Sequence, residues 1–344
     1  MACQFNSGEL VPLDDIDPYI QDALDLIEFA NGPVTSVWGR KRAAMGHPAP
    51  FNLKMIGVGN EQWGPQYVER YERFARVLKA KHPKIMLITG AGPFANDERF
   101  RFLWGKMREL NADIVDEHYY MGPKWFRDNV GRYDDYPRTG PKVFAGEYAA
   151  QSTGRGGVPE NRNTWECALS EAAFITGLER NADVVRMSSY APLFGHVEAW
   201  QWTPNLIWFD NLRSYGTPNY YVQKTFSLNR GTRILPVQLN GSPKNGDQNL
   251  FASASIDDRA GEIVLKLVNA EPSSREVRIN LAGLPRVNQS GRAVVLASAD
   301  LKAENSLDEP TKISPRDHQF AVPASEFAYT LEPNSLTVLR VSTR

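Results

Sequence analysis

Two glutamates occupy matching positions in this chain. In Met55-Ile-Gly-Val-Gly-Asn-Glu61 a short apolar run, Met55 to Val58, reads as a buried strand, and Gly64-Pro65 then opens a helix. In Lys142-Val-Phe-Ala-Gly-Glu-Tyr148 the same form returns: apolar strand, glycine, glutamate. Glu61 and Glu147 therefore sit at the carboxyl ends of strands, the face on which α/β barrels do chemistry. Two carboxyl groups about 5–5.5 Å apart, one an acid/base and one a nucleophile, are what retaining cleavage of a glycosidic bond requires. A single buried glutamate is more often half of a structural ion pair. Two of them, each at a strand end after a glycine, favour the catalytic reading.

Other residues suit the same chemistry. Asn60, beside Glu61, suits a hydrogen bond to a sugar 2-hydroxyl. His118 and Tyr120 close another strand, where an imidazole and a phenol can orient a carboxylate and tune its proton affinity. The bland alternative is a satisfied histidine and a packed tyrosine. Metal binding by His118 with Asp116 or Glu117 is not expected, since strand residues alternate between opposite faces and no further ligands cluster nearby in sequence. Aromatic faces stack on sugar rings. Trp63 and Trp202 are the candidates for such a platform, with Trp125, Trp200 and Trp208 behind them. Trp165 is at helical core spacing and reads as structural.

The elements that must position these residues alternate regularly. Strands are expected near 55, 84, 113, 142 and 183. Helices are expected over 17–31, 65–81, 98–110, 163–180 and 218–228, with Val34 to Pro50 a loop. Repeated β-α units imply a parallel sheet covered by helices. From about Gly231 the pattern changes to short alternating strands, around 251–255, 263–267, 277–281, 293–297 and 336–340, separated by polar turns. This reads as an antiparallel β-sandwich. Residues 1–230 are thus expected to form a barrel-type domain and 231–344 a sandwich.

Bulk properties exclude several classes. With 344 residues and a formal net charge of −1, nothing suggests nucleic acid or an anionic membrane as partner. No run of about 18 apolar residues is present, so no spanning helix is expected. Met1 to Ser7 has neither a basic stretch nor an apolar core, so it does not read as a signal peptide. Cys3 and Cys167 are far apart and show no metal spacing; a disulfide between them has no support. There is no Gly-rich phosphate loop, and no metal or cofactor is expected.

Taken together these residues resemble glycoside hydrolase family 51, the α-L-arabinofuranosidases. Ala23-Leu-Asp-Leu-Ile-Glu-Phe-Ala-Asn-Gly32, Trp38-Gly39 and Gly46-His-Pro48 look like the segment before the family's acid/base strand. Gly59-Asn-Glu61 with Trp63-Gly64 looks like its acid/base motif, His118 and Tyr120 like its His-x-Tyr, and Gly146-Glu-Tyr148 like its nucleophile motif. Ala191-Pro-Leu193, Asn205-Leu-Ile207 and Phe209-Asp210 look like the segment after its eighth strand. The resemblance implies a (β/α)8 barrel followed by a β-sandwich, with Glu61 as acid/base, Glu147 as nucleophile and Asn60 on the 2-hydroxyl. It implies release of terminal arabinofuranose from arabinan or arabinoxylan by double displacement. An endo-β-glucanase or xylanase-like activity within the family is the alternative, and a non-catalytic carbohydrate-binding chain is the contrast. By this alignment the strand at 55 is the family's fourth. The first strands are missing, and the third is at best the stub near Met1. The chain is then expected to be the carboxyl-terminal part of a longer enzyme, with self-association through the open barrel edge.

Overall fold

A computed structural model describes residues 10–154, 156–243, 246–283 and 287–343. The strand stub expected near Met1, and Cys3, lie outside these residues. The chain divides into two compact units, Met1–Tyr119 with Pro137–Gly146, and Tyr120–Tyr136 with Glu147–Arg344. The divisions fall inside two strands, between Tyr119 and Tyr120 and between Gly146 and Glu147.

The first unit opens with helix α1 (Asp17–Asn31), which buries Ile20, Leu24, Ile27 and Ala30 at helical spacing. A second helix, α2 (Val37–Ala44), follows where a loop is expected. Its apolar stripe is absent because its buried anchor is a charge. Arg42 is fully buried and donates to the carbonyls of Phe29, Gly32, His47 and Pro48. Helical periodicity of apolar residues cannot reveal such a helix.

Strand β1 (Met55–Gly57), α3 (Pro65–Lys81), β2 (Met86–Gly90), α4 (Glu98–Glu109) and β3 (Ile114–Met121) then alternate, and β4 (Lys142–Ala150) comes next. β1 pairs with β2 and β2 with β3, both in parallel, and Lys142 N–H donates to Asp113 O at the foot of β4. Gly64, at φ 79°, takes a backbone conformation that suits only glycine, and Pro65 then starts α3. One residue of α3 holds the strand ends. The Tyr67 hydroxyl donates to Val58 O at 2.6 Å, lies 2.8 Å from Thr89 Oγ1 and accepts from Gly90 N–H. Burial pushes that phenol up to about 12, so it stays a neutral donor.

The second unit holds the ends of β3 and β4 and adds α5 (Pro123–Asp128), α6 (Trp165–Arg180), β5 (Val185–Tyr190) and α7 (Pro218–Leu228). β5 lies beside β4, with Ala191 N–H reaching Tyr148 O. Between Pro192 and Gly216 lie three short strands, β6 (Phe194–His196), β7 (Ile207–Phe209) and β8 (Ser214–Gly216), in one small sheet. Three-residue strands are too short to give an alternation signal.

The antiparallel region adds β9 (Arg233–Leu235), β10 (Leu250–Asp257), β11 (Glu262–Asn269), β12 (Arg275–Asn280), β13 (Ser290–Ala297), β14 (Arg316–Ala321), β15 (Glu326–Leu331) and β16 (Ser335–Ser342). Six of these strands pair in the order β14-β13-β16-β11-β10-β9, and β12 pairs with β15. Leu265, Leu267, Val295, Phe327 and Leu339 share the core cluster of this region. β10 and β11 are nearly continuously buried because α6 covers their other face. On that face Lys266, 1% exposed, pairs with Glu179 of α6, and Ser253 Oγ donates to the same carboxylate. Trp165, structural as expected, donates its indole N–H to Asn334 O at 2.8 Å. Cys167 is a buried thiol, pushed up to about 12 by desolvation.

Glu171 on α6 is fully buried under β4 and accepts the Ala150 N–H at 2.7 Å. Desolvation raises its carboxyl to about 8, against the pull of that hydrogen bond. The folded protein therefore holds a proton there that the unfolded chain releases above its ordinary value of 4.5. Stability from this group is full below that value and is lost as pH rises towards about 8, at up to about 1.4 kcal/mol per pH unit. Glu171→Gln is expected to flatten the slope; urea midpoints at pH 5, 6.5 and 8 for both proteins check it.

Candidate active site

Glu61 sits on a tight turn after β1. Gly59 is at φ 91° and Glu61 at φ 51°, left-handed values that cost a glutamate about 1 kcal/mol or more. The fully buried Gln62 backs this turn. Its Oε1 accepts the Asn60 N–H at 3.2 Å and lies 1.9 Å from where a Cβ on Gly59 would be. Only glycine fits at 59, and the turn holds Glu61 at the strand's carboxyl end.

In the first unit the carboxyl of Glu61 meets His118 of β3. Glu61 Oε1 lies 3.0 Å from Nδ1 of the ring, and Asp116 Oδ2 lies 3.3 Å from Nε2. The imidazole is 3% exposed, so water does not compete strongly for either nitrogen. Asp116 and His118, two residues apart, share a face of the strand, while Glu117 points away into the core. There Glu117 accepts the Trp104 indole N–H at 2.9 Å and is held by the Tyr119 hydroxyl. The alternation argument against a His118 ligand set holds for Glu117 but not for Asp116, and the expectation that no further ligands cluster nearby is corrected. Asp116 lies on its own face, and the fold brings Glu61 to it across 57 residues.

Asp116 also explains the glycine before Glu147. The Gly146 N–H donates to Asp116 Oδ1 at 3.0 Å, and a Cβ at 146 would lie 2.1 Å from that oxygen. Asp116 therefore joins β3 to β4 while facing His118.

In the second unit Glu147 of β4 accepts a hydrogen bond from the Tyr120 hydroxyl, 2.7 Å to Oε2. The next residue, Tyr148, turns to the opposite face, is fully buried and donates to Gln223 Oε1 of α7 at 2.9 Å. β4 is thus anchored below by α6 and α7 while Glu147 stays half-buried on the other face.

The other candidates are placed as follows. Asn60 is exposed on the Glu61 turn. Trp63 is half-buried, with the Arg99 guanidinium 5.4 Å from its ring centroid. Trp202 is 55% exposed, and its ring lies within 3.4 Å of a Cβ position on Gly157. Trp208 is not a platform face in full: its indole N–H donates to Asn163 Oδ1, and its ring meets Trp200 edge-on. Sequence reasoning missed Asp116, Gln62 and Tyr67 as positioning groups. The one signal available for Asp116 was its i, i+2 spacing to His118.

A family model described as "Alpha-L-arabinofuranosidase C-terminal domain" matches residues 146–335, and one described as "Alpha-L-arabinofuranosidase 1 domain" matches residues 1–138. An extracellular exo-α-L-arabinofuranosidase of Streptomyces chartreusis is 49% identical over 240 residues, 69% of this chain and 28% of the relative. α-L-Arabinofuranosidase 2 of Arabidopsis thaliana is 34% identical, covering 97% of this chain and 48% of the relative. An arabinose-bound GH51 α-L-arabinofuranosidase structure superposes with a TM-score of 0.87 at 32% identity, covering 97% of this chain and 52% of that one. The chain thus spans half or less of the length of the curated relatives just described.

Gly146→Ala forces a methyl group onto the Asp116 carboxylate. It is expected to cost about 1–3 kcal/mol of stability. Thermal unfolding of the variant beside Gly122→Ala, where a Cβ meets open space, checks that the loss is specific.

Proposed function

We propose, from the premise that this chain belongs to glycoside hydrolase family 51, the α-L-arabinofuranosidases, that it carries the catalytic carboxylates of a retaining arabinofuranosidase. In this reading Glu147 attacks the anomeric carbon and Glu61 protonates the leaving oxygen. Water then attacks the glycosyl-enzyme bond, with Glu61 as base, and releases arabinose. The supporting observation is the pairing along β3. His118 takes Glu61 and Tyr120 takes Glu147, and these two β3 residues are two positions apart. Strand alternation gives these two residues a common face of β3.

The phenol on Glu147 Oε2 orients the nucleophile. Asn60 is assigned to the sugar 2-hydroxyl. Trp63 and Trp202 are assigned to flanking sugar surfaces. The substrate class is a plant cell-wall oligo- or polysaccharide with terminal arabinofuranose, by analogy with the named relatives. Those relatives favour the exo-acting arabinofuranosidase over the endo-acting alternative. The five parallel strands are read as five of the eight in a family barrel, with residues 1–230 the barrel portion and 231–344 the sandwich. Self-association through the outer edge of β1 belongs to the same proposal; a monomer by light scattering at high concentration would remove it.

Hydrolysis of p-nitrophenyl α-L-arabinofuranoside by the purified chain tests the reading. Glu147→Ala is expected to lower kcat/KM by about 10³-fold or more. Glu61→Ala is expected to cost less on this activated substrate than on an unactivated one. A folded chain without turnover, or variants that keep full activity, would count against it.

A further inference from the structure

The His118 ring has a carboxyl group at each nitrogen, Glu61 Oε1 at 3.0 Å and Asp116 Oδ2 at 3.3 Å. A neutral imidazole has one N–H, so while both carboxyl groups are ionised one contact would set lone pair against lone pair. A ring protonated at both nitrogens donates to both. Asp116 is itself fixed: its Oδ1 accepts the Gly146 N–H, and Gly146 has no room for a side chain that could displace it. The ring is buried, which strengthens both contacts relative to water.

We propose that Asp116 is a positioning residue for the acid/base group: it holds His118 doubly protonated, so that Nδ1–H fixes Glu61 Oε1. This rests on the reading of Glu61 as the acid/base. The consequence is an assignment of atoms. With Oε1 accepting from Nδ1–H, the acid proton of Glu61 belongs to Oε2. In the first step that proton passes to the glycosidic oxygen. The bond from the anomeric carbon to this oxygen breaks, its electron pair stays on the oxygen, and a Glu147 oxygen bonds the carbon. The carboxylate left at Glu61 then lies beside a cationic ring that Asp116 has held in place. In the second step a water proton returns to Glu61 as the water oxygen bonds the carbon and Glu147 leaves.

The variant is Asp116→Asn, close in shape and able to accept the Gly146 N–H through its amide oxygen. Two substrates separate a positioning role from a structural one. An arabinofuranoside with a 2,4-dinitrophenyl leaving group needs little acid assistance; a methyl arabinofuranoside needs it fully. Asp116→Asn is expected to lose about 10²-fold or more in kcat/KM on the methyl glycoside and about threefold or less on the dinitrophenyl one. Equal losses on both would overturn the proposal. The second measurement needs no turnover. Side-chain ¹⁵N spectra of the five histidines, with His118 assigned through His118→Gln, are expected to show both His118 nitrogens protonated at pH 7. In Asp116→Asn a neutral tautomer is expected. A neutral ring in the unaltered protein, or a spectrum unchanged by the substitution, would overturn it. A chain inactive on both glycosides but with the expected spectra would count against the hydrolase reading and leave the Asp116–His118 assignment standing.

Discussion

A single carboxylate, that of Asp116, is the constraint on which the surroundings of Glu61 and His118 depend. It faces His118 from one side and accepts the Gly146 amide on the other, so it tethers the middle of β4 to β3 where β4 is about to deliver Glu147. Neither a methyl group at 146 nor a shift of the aspartate is compatible with that arrangement. The strained turn at Glu61 meets the same assembly through the imidazole, and Gln62 and Tyr67 hold the turn from beneath. Strain in a left-handed glutamate persists only where neighbours over-determine it. Here buried polar groups with several hydrogen bonds each do so.

The second unit uses the same device at larger scale. β4 rests on α6 and α7 through polar contacts, Tyr148 to Gln223 and Ala150 to Glu171, within the aromatic packing of Phe126, Tyr148 and Phe174. α6 in turn binds the antiparallel sheet through Lys266, Glu179 and Ser253. Buried ion pairs of this kind add little net stability over an apolar substitute, yet breaking one partner is costly. Their role here is to fix how one helix sits against both a parallel strand and the sandwich.

Much of this was legible from the chain itself. The five strands of the first sheet fall where short apolar runs read as strands, at residues near 55, 84, 113, 142 and 183. α1, α3, α4, α6 and α7 follow their apolar stripes, and the antiparallel strands begin at Arg233. What the sequence hid shares a physical reason. α2 is held by a buried arginine rather than by apolar spacing. β6, β7 and β8 are three residues long, and β9 and β14 are exposed strands with little alternation to read; β15 does alternate, with Phe327, Tyr329 and Leu331 inward, and sequence reasoning passed over its pattern. The link between Glu61 and His118 is a long-range contact with no local signature. Asp116 was visible only as a neighbour of His118, because its role depends on the distant Gly146.

The role of Glu147 as nucleophile is open to direct chemical trapping. A 2-deoxy-2-fluoro-arabinofuranosyl donor with a good leaving group should form its glycosyl-enzyme faster than the adduct hydrolyses, and peptide mass spectrometry would locate the label. One adduct per chain is expected, on the peptide containing Glu147, and none in Glu147→Gln. An adduct on any other residue, or a folded chain that turns the donor over without forming one, would contradict that role.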